Sequence, residues 1–250
     1  MPDALISALA MPGLIWVAMA ALVGGVVRGF SGFGTGMIYL PVAAQVLPPF
    51  WAILTLVMMD LFGPVPNLRR AWRDAHKADL ARLALGALAL LPLGLLVLSL
   101  IQPQSFRYAV SFLALGLLVC LVLGLRWRGT LRPPLVFAIG GVSGFLGGLT
   151  GLAGPPVILT YLASPHGPAV IRANTMLHLF FFDILLIAMI GARGELNWTP
   201  VVIGLMMAVP NILGNMIGAA IFDPERESLY RAVAYGVIAV SAISGLPLWD

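Results

Sequence analysis

The chain has 250 residues, of which 60% are hydrophobic and only 10% are charged, and its mean hydropathy is +1.01. These values lie well outside the range of soluble globular proteins and predict an integral membrane protein. The net charge is +4, but the basic residues stand between apolar segments, which argues for a role in membrane topology and against nucleic-acid binding.

The apolar runs are long and do not alternate with polar residues, which favours membrane helices over outer-membrane strands. They cover 5–27, 37–47, 51–66, 80–101 and 106–125 in the first half, and 134–146, 155–163, 170–190, 198–222 and 229–246 in the second. The predicted fold class is an all-α integral membrane protein with eight to ten membrane segments.

Basic residues are concentrated in two connections, 69–82 and 126–132, which should both face the cytoplasm under the positive-inside rule. The two apolar runs between these connections then cross the membrane outward and back. The two short runs in each half return the chain to the same side whether they cross fully or dip and come back, so three further crossings remain in each half. An odd number of crossings inverts the second half. The connection 191–197, with one arginine and one glutamate, and both termini are expected outside the cytoplasm.

Two glycine-rich sequences interrupt apolar runs at matching places, at 29–36 and at 147–154. A shift of 119 residues aligns them, with Gly25 on Gly144, Gly32 on Gly151 and Ser31 on Thr150. The second sequence continues into Pro155 and a further proline, which suits the first turn of a new helix. Both sequences are therefore expected to be helix breaks.

The alignment of the two halves predicts a duplicated protein. After a four-residue insertion near 164–167, Asp60 falls on Asp183. We expect a first membrane repeat at 1–128 and an inverted second repeat at 129–250, each with a glycine-broken short helix pair and three further transmembrane helices. Transporters with inverted repeats place substrate near the membrane midplane, at discontinuous helices.

The pattern resembles the sulfite exporter TauE/SafE family of small membrane permeases, within the 4-toluene sulfonate uptake permease-like superfamily. The likeness covers nearly the whole chain, through the two glycine-rich sequences, the basic connection after the third segment, and Arg107 and Arg231 before the last segment of each half. It implies a multi-pass protein of the bacterial inner membrane. It also implies transport of sulfite, of sulfonates such as sulfoacetate or of other small organic anions, and no enzyme activity.

A helix break within the membrane is tolerated only where it lines a cavity or is buried in protein. The restarted helix then presents free N–H groups and a partial positive charge, which suit an anion. The alternative interpretation is that the glycines only let helices pack closely. The candidate substrate-binding residues are Arg28, Ser31, Gly32, Gly34, Thr35, Thr150, Gly151, Gly154, Asn174, His178, Asn211 and Asn215.

Three of the charged residues that fall within apolar runs or at their ends are functional candidates. Arg28 either binds the anion or extends to the membrane interface. Asp60 and Asp183, expected near the middle of their segments, are either proton-coupling groups or structural acids that hold an arginine or bond a broken helix of the other repeat. The sequence leaves these alternatives open.

Two functions are compatible with these residues. The first is alternating-access anion transport, driven by the membrane potential or by coupled protons. The second is an intramembrane serine hydrolase with Ser31 as nucleophile and His178 as base, although Thr150 at the symmetric position argues against a single nucleophile. The expected partners are a small anion and the lipid bilayer, and the sequence leaves a homodimer open. No cofactor, metal or nucleic acid is expected.

Overall fold

A computed structural model describes residues 2–124, 131–161 and 166–248. This part of the chain contains twelve α-helices and two 3-10 turns, and no strand. The helices are α1 Pro2–Leu9, α2 Leu14–Ser31, α3 Thr35–Val46, α4 Pro49–Asp60, α5 Leu68–Asp74, α6 Lys77–Leu100, α7 Pro103–Val122, α8 Pro133–Thr150, α9 Gly154–Tyr161, α10 Pro168–Ala192, α11 Trp198–Ile221 and α12 Glu227–Gly245. The predicted all-α class is confirmed.

Seven of the described helices are long and apolar enough to cross a membrane, namely α2, α6, α7, α8, α10, α11 and α12. Large apolar side chains such as Leu88 of α6 and Met216 of α11 remain exposed on them, as expected for surfaces that face lipid. The 12-residue helices α3 and α4 are about 18 Å long, well short of the hydrocarbon thickness, and α9 is described over eight residues up to Tyr161. α3 and α4 match the short pair expected in the first half, whereas in the described part of the second half only α9 is short, because the run 134–146 belongs to the 18-residue α8.

Several helix boundaries differ from the prediction, and α2 and α8 both run four residues past the predicted ends at 27 and 146. The first apolar run is divided at Gly13, which has a φ of 81° and separates α1 from α2. The run 51–66 is helical only as far as Asp60, because Gly63 and Pro64 follow within a turn and a proline disfavours helix in the residue before it. Asp60 therefore ends its helix, whereas it was expected near the middle of one.

Some predicted features lie outside the described residues. These are the arginines of the second basic connection at 126 and 128, the boundary between the predicted repeats, and positions 164 and 165 of the insertion.

The helices group into two compact units, and each unit draws on both halves of the sequence. The first consists of Met1–Asp60, Ile101–Val122 and Asn197–Asp250, and the second of Leu61–Leu100 and Leu123–Leu196. In the first unit α2 packs along α11, with α3, α4, α7 and α12 beside them. In the second unit α8 packs along α6, and α10 contacts α5, α6 and α9.

Glycines bring the main helix pair of each unit into backbone contact. Gly140, Gly144 and Gly148 recur every four residues along α8, and a Cβ on Gly144 would lie 2.5 Å from a backbone oxygen of α6. In the first unit, a Cβ on Gly25 of α2 would lie 2.2 Å from the backbone oxygen of Asn211 in α11. Small residues commonly allow such close approach in membranes, where the hydrophobic effect does not drive helices together.

Candidate functional site

Both glycine-rich sequences end one helix and begin another. α2 ends at Ser31 and α3 begins at Thr35, while α8 ends at Thr150 and α9 begins at Gly154. We call residues 32–34 and 151–153 the first and second breaks. The structure confirms both predicted helix breaks, including the start of a helix just before the two prolines.

A glycine in the left-handed conformation ends the helix at each break. Gly32 has a φ of 79°, and its N–H donates to the Arg28 carbonyl at 2.7 Å. Gly151 has a φ of 80°, and its N–H donates to the Gly147 carbonyl at 2.8 Å. A residue with a Cβ is disfavoured in this conformation. Glycine is therefore required at both positions by the backbone itself.

Hydroxyl groups bond to the backbone in the same way at the two breaks. Ser31 Oγ donates to the Val27 carbonyl at 2.6 Å, and Thr150 Oγ1 donates to the Leu146 carbonyl at 2.7 Å. In both breaks the backbone N–H two residues further on donates to the hydroxyl oxygen, at 3.4 and 3.3 Å. These bonds match at the shift of 119 residues that aligns the sequences. They stabilise the breaks, and a contact of these hydroxyls with substrate stays a prediction.

The glycines of the two sequences have separate roles. Gly29, Gly147 and Gly148 lie within α2 and α8, where a Cβ would come within 2.3 to 2.8 Å of neighbouring atoms. For these three the packing interpretation is the better one. Gly32 has open space where its Cβ would be, and Gly154 has only ordinary contacts beginning at 3.6 Å, so packing does not explain either glycine.

His178 is linked to the second break through Ser143 of α8. His178 Nε2 lies 2.8 Å from Ser143 Oγ, which lies 2.6 Å from the carbonyl oxygen of Ala153, the residue before α9. Because the carbonyl can only accept, the serine donates to it, and we assign the Nε2 proton to the bond with the serine. His178 Nδ1 is then a buried acceptor without a partner among the described residues. A protonated ligand would satisfy it.

An ion pair lies beside the first break. Arg28 Nη1, in the last turn of α2, is 2.8 Å from Asp60 Oδ1 at the end of α4, and about a quarter of each side chain is exposed. Asp60 thus holds an arginine, as one alternative of the sequence analysis predicted. The position that aligns with Arg28 is Gly147, so the second break has no cation there. Asp183 is half-buried within α10 and is engaged by other groups.

The candidate asparagines lie in different surroundings. Asn211 is buried in α11, and its Nδ2 donates to the Ala21 carbonyl of α2 at 3.3 Å. Asn215, one turn later, is partly exposed. Asn174 is buried in α10, and its Oδ1 accepts from the backbone N–H of His76 at 2.9 Å. Asn211 therefore joins α2 to α11, and Asn174 joins the basic connection to α10.

The structure also brings together three residues that the sequence analysis missed. His76, Asp79 and His166 place one potential ligand atom each within 4.8 Å of one another. His76 and Asp79 lie at the start of α6, but His166 lies in the loop before α10. No spacing of sequence-adjacent ligands signals such a cluster, which forms only when the chain folds.

An open apolar groove of about 350 Å³ in the first unit does not fit an anion. It is lined mainly by α2, α3 and α12, with Trp16, Val23 and Val42 among the apolar residues and two serines as its only hydroxyls. No charged side chain lines it among the described residues, and it includes neither break. A membrane protein exposes such a surface to lipid tails.

The hydrolase alternative gains no support from the geometry. The imidazole of His178 bonds to Ser143, and the Ser31 hydroxyl bonds to the backbone of its own helix. A nucleophilic serine requires a base within hydrogen-bond reach.

Seven long apolar helices, together with short helices that begin at breaks, define a polytopic α-helical membrane protein. The chain belongs to the family described as sulfite exporter TauE/SafE, whose sequence model matches residues 17–245. It is 27% identical over 230 residues to the probable sulfite/organosulfonate exporter TauE of Cupriavidus necator, a match that covers 87% of this chain and 88% of that protein. No solved structure gives a significant match. The predicted resemblance is confirmed, and the protein is a membrane transporter, not an enzyme.

Proposed function

We propose that the protein carries small sulfur-containing or organic anions, such as sulfite or sulfoacetate, across the bacterial inner membrane by alternating access. The observation that carries this proposal is the repetition of one break geometry, with three equivalent hydrogen bonds, at a shift of 119 residues. The name of the Cupriavidus necator relative supports the substrate class. The anion binds at the two breaks, near the bilayer midplane.

The packing within each unit supports repeats at 1–128 and 129–250. In the first unit, α2 from the first half packs along α11 from the second half. In the second unit α8, which aligns with α2, packs along α6, which aligns with α11. In both units a helix thus packs along a partner from the other half, and the two pairs are equivalent in the alignment. This is the arrangement expected of two repeats related by a pseudo-two-fold axis. Eight to ten membrane segments follow, depending on which of the short helices cross.

Each break, taken within its own unit, offers groups that suit an anion. α3 begins after Gly34, which provides no side-chain cap, so the first-turn N–H groups suit an oxyanion. Beside it, Arg28 pairs with Asp60 through one nitrogen, and a guanidinium has further N–H donors for a ligand. At the second break the buried acceptor His178 Nδ1 favours a ligand that bears a proton, such as bisulfite.

The direction of transport depends on the driving force. A dianion that leaves an inside-negative cell gains about 2.3 kcal/mol per charge per 100 mV, so export proceeds without a coupled ion. Uptake of the same anion requires coupled protons or another driving ion, and Asp60, Asp183 and His178 are the proposed proton carriers.

Flux in proteoliposomes tests the proposal. Purified protein is reconstituted and loaded in turn with sulfite, sulfoacetate and a simple carboxylate, and potassium gradients set the membrane potential in either direction. We expect efflux of at least one anion to accelerate when the lumen is negative. An Arg70→Gln variant should transport like the parent, because that side chain is 81% exposed and lies far along the chain from either break. Absence of flux for all three anions at both polarities would refute the proposal.

A further inference from the structure

Two of the three histidines in the chain meet at a single carboxylate oxygen. His76 Nδ1 and His166 Nε2 each lie 3.2 Å from Asp79 Oδ2, and the centres of the two imidazole rings are 5.0 Å apart. We propose that these three residues bind a divalent transition-metal ion of the Zn²⁺ type. The site lies wholly in the second unit and does not depend on the proposed transport function.

The two nitrogen–oxygen distances fit a zinc ion, and all three ligand atoms lie within 4.8 Å of one another. Zinc binds imidazole nitrogen and carboxylate oxygen at about 2.0 to 2.2 Å in tetrahedral sites, which puts neighbouring ligand atoms about 3.3 to 3.6 Å apart. Both nitrogen–oxygen separations here are 3.2 Å, close to that edge length. Two imidazoles and one carboxylate form a three-ligand set with a fourth position for water.

The backbone of His76 is held from two sides. Its N–H donates to Asn174 Oδ1 at 2.9 Å, and Asn174 Nδ2 donates back to its carbonyl at 3.4 Å. The same carbonyl accepts from the backbone N–H groups of Asp79 and Leu80 at 3.1 and 3.0 Å, at the first turn of α6. A ligand on so constrained a backbone loses little entropy when it binds a metal. This also gives the buried Asn174 a structural role.

The other two ligands are oriented by their neighbours. Arg82 Nη1 donates to Asp79 Oδ1 at 2.7 Å, which leaves Oδ2 directed to the histidines. The His166 ring stacks on Tyr161, with ring centres 6.1 Å apart and an interplanar angle of 18°. Partners of this kind fix the direction of metal ligands and are part of metal sites in general.

The two proposed histidine ligands are accessible to solvent, and neighbouring positive charges limit the affinity of the cluster for a metal ion. The side chains of His76 and His166 are 47% and 24% exposed, whereas Asp79 is only 7% exposed. The positive charges of Arg82 and nearby Lys77 oppose a cation. The histidines must be deprotonated to bind a metal, so binding releases protons and weakens as the pH falls. A bound ion would join the start of α6 to the loop before α10.

Metal titration of the purified protein tests the site. The protein is isolated through a histidine-free tag, stripped with a chelator and titrated with Zn²⁺ by calorimetry and with Co²⁺ by visible absorption. We expect one Zn²⁺ per chain, a rise in thermal stability and a Co²⁺ spectrum of a four- or five-coordinate nitrogen–oxygen site. Mg²⁺ should not compete, because imidazole ligands favour zinc.

Four variants distinguish Zn²⁺ binding at the cluster from Zn²⁺ binding elsewhere on the protein. His166→Asn and His76→Asn should each weaken Zn²⁺ affinity by more than about 100-fold, beyond the 10- to 100-fold typical of outer partners. His178→Asn removes the third histidine and should leave the affinity unchanged. Arg82→Gln keeps a side-chain N–H donor for Asp79 Oδ1 and removes an opposing charge, so it should strengthen binding.

Three results would overturn the proposal: no stoichiometric Zn²⁺ binding by the parent, parent-like affinity in both cluster variants, or an equal loss in His178→Asn. Thermal unfolding of each metal-free variant shows whether it is folded. Since metal binding is measured without transport, failure of either proposal leaves the other standing.

Discussion

The ion pair of Arg28 and Asp60 is the clearest point at which stability and substrate binding can be separated residue by residue. An isolated arginine in the middle of a membrane helix costs about 2.5 to 3.5 kcal/mol on insertion scales. The carboxylate at 2.8 Å offsets part of that cost, while partial exposure of both side chains weakens the interaction. Substitution of both Arg28 and Asp60 tests whether the guanidinium also contacts the anion.

We expect Arg28→Gln and Asp60→Asn each to lower stability by about 1 to 2 kcal/mol, because either change leaves one charge unpaired in a partly buried site. The double variant should recover most of that stability. Its sulfite flux should nevertheless stay low, since the cation proposed to bind the anion is gone. Thermal unfolding and proteoliposome flux are measured on all three variants.

The matched control is the exposed pair of Arg70 and Asp74, whose closest charged atoms are 3.7 Å apart. Neutralising both of these residues should change neither stability nor flux. If flux recovers together with stability when Arg28 and Asp60 are both neutralised, Arg28 has only a structural role.

The sequence could indicate Arg28 and Asp60 individually, because charge within an apolar run is costly and stands out. It could not pair them, since they are 32 residues apart on different helices. The sequence could not indicate the cluster of His76, Asp79 and His166 for the same reason. Two of its members lie in the connection 69–82, whose basic residues indicate only membrane topology. Long-range proximity is a property of packing, which local patterns do not contain.

At the level of elements, the breaks were predictable because glycine and proline act locally. The positive φ of Gly32 and Gly151 is a requirement of the turn itself. The roles of the glycines just before them were not predictable, because a single sequence does not reveal which face of a helix meets a neighbour. Gly147 lies against Phe182 of α10, a contact that only the folded chain shows.

Gly151, the first residue of the second break, and Gly154, the first residue of α9, provide a test of this break. Gly151→Ala should cost about 1 to 2 kcal/mol, the penalty of a left-handed conformation for a residue with a Cβ. Gly151→Asn should cost less, because asparagine tolerates that conformation. Gly154→Ala should leave stability within about 0.5 kcal/mol, since its Cβ meets only ordinary contacts from 3.6 Å.

The same variants report on the anion. If the start of α9 approaches the substrate, the methyl group of Gly154→Ala raises the KM for sulfite while thermal stability stays constant. The helix-break geometry would be contradicted by a Gly151→Ala protein as stable as the parent.

At the scale of the whole molecule, the proposed inversion rests on where the connections lie across the membrane. The basic connection is held against the first half of α10 by the bond between His76 and Asn174 and by the contact of Trp72 with Phe181. From Asn174 to the end of α10 at Ala192 the helix rises about 27 Å. The connection 191–197 therefore begins at the far end of a helix long enough to cross the bilayer.

Labelling of single cysteines from one side of the membrane measures on which side each connection lies. The sequence has one cysteine, Cys120, so a Cys120→Ala protein is the background for Arg70→Cys and Glu195→Cys. Both target side chains are exposed, at 81% and 38%. The positive-inside rule predicts that position 70 lies in the cytoplasm, and a full crossing by α10 would then put position 195 outside. A membrane-impermeant maleimide should label Glu195→Cys in intact cells and Arg70→Cys only after permeabilisation. The two connections are equivalent in the aligned halves, so labelling from the same side would mean that the halves are parallel. That result would refute the inverted repeats and the midplane anion site proposed from them.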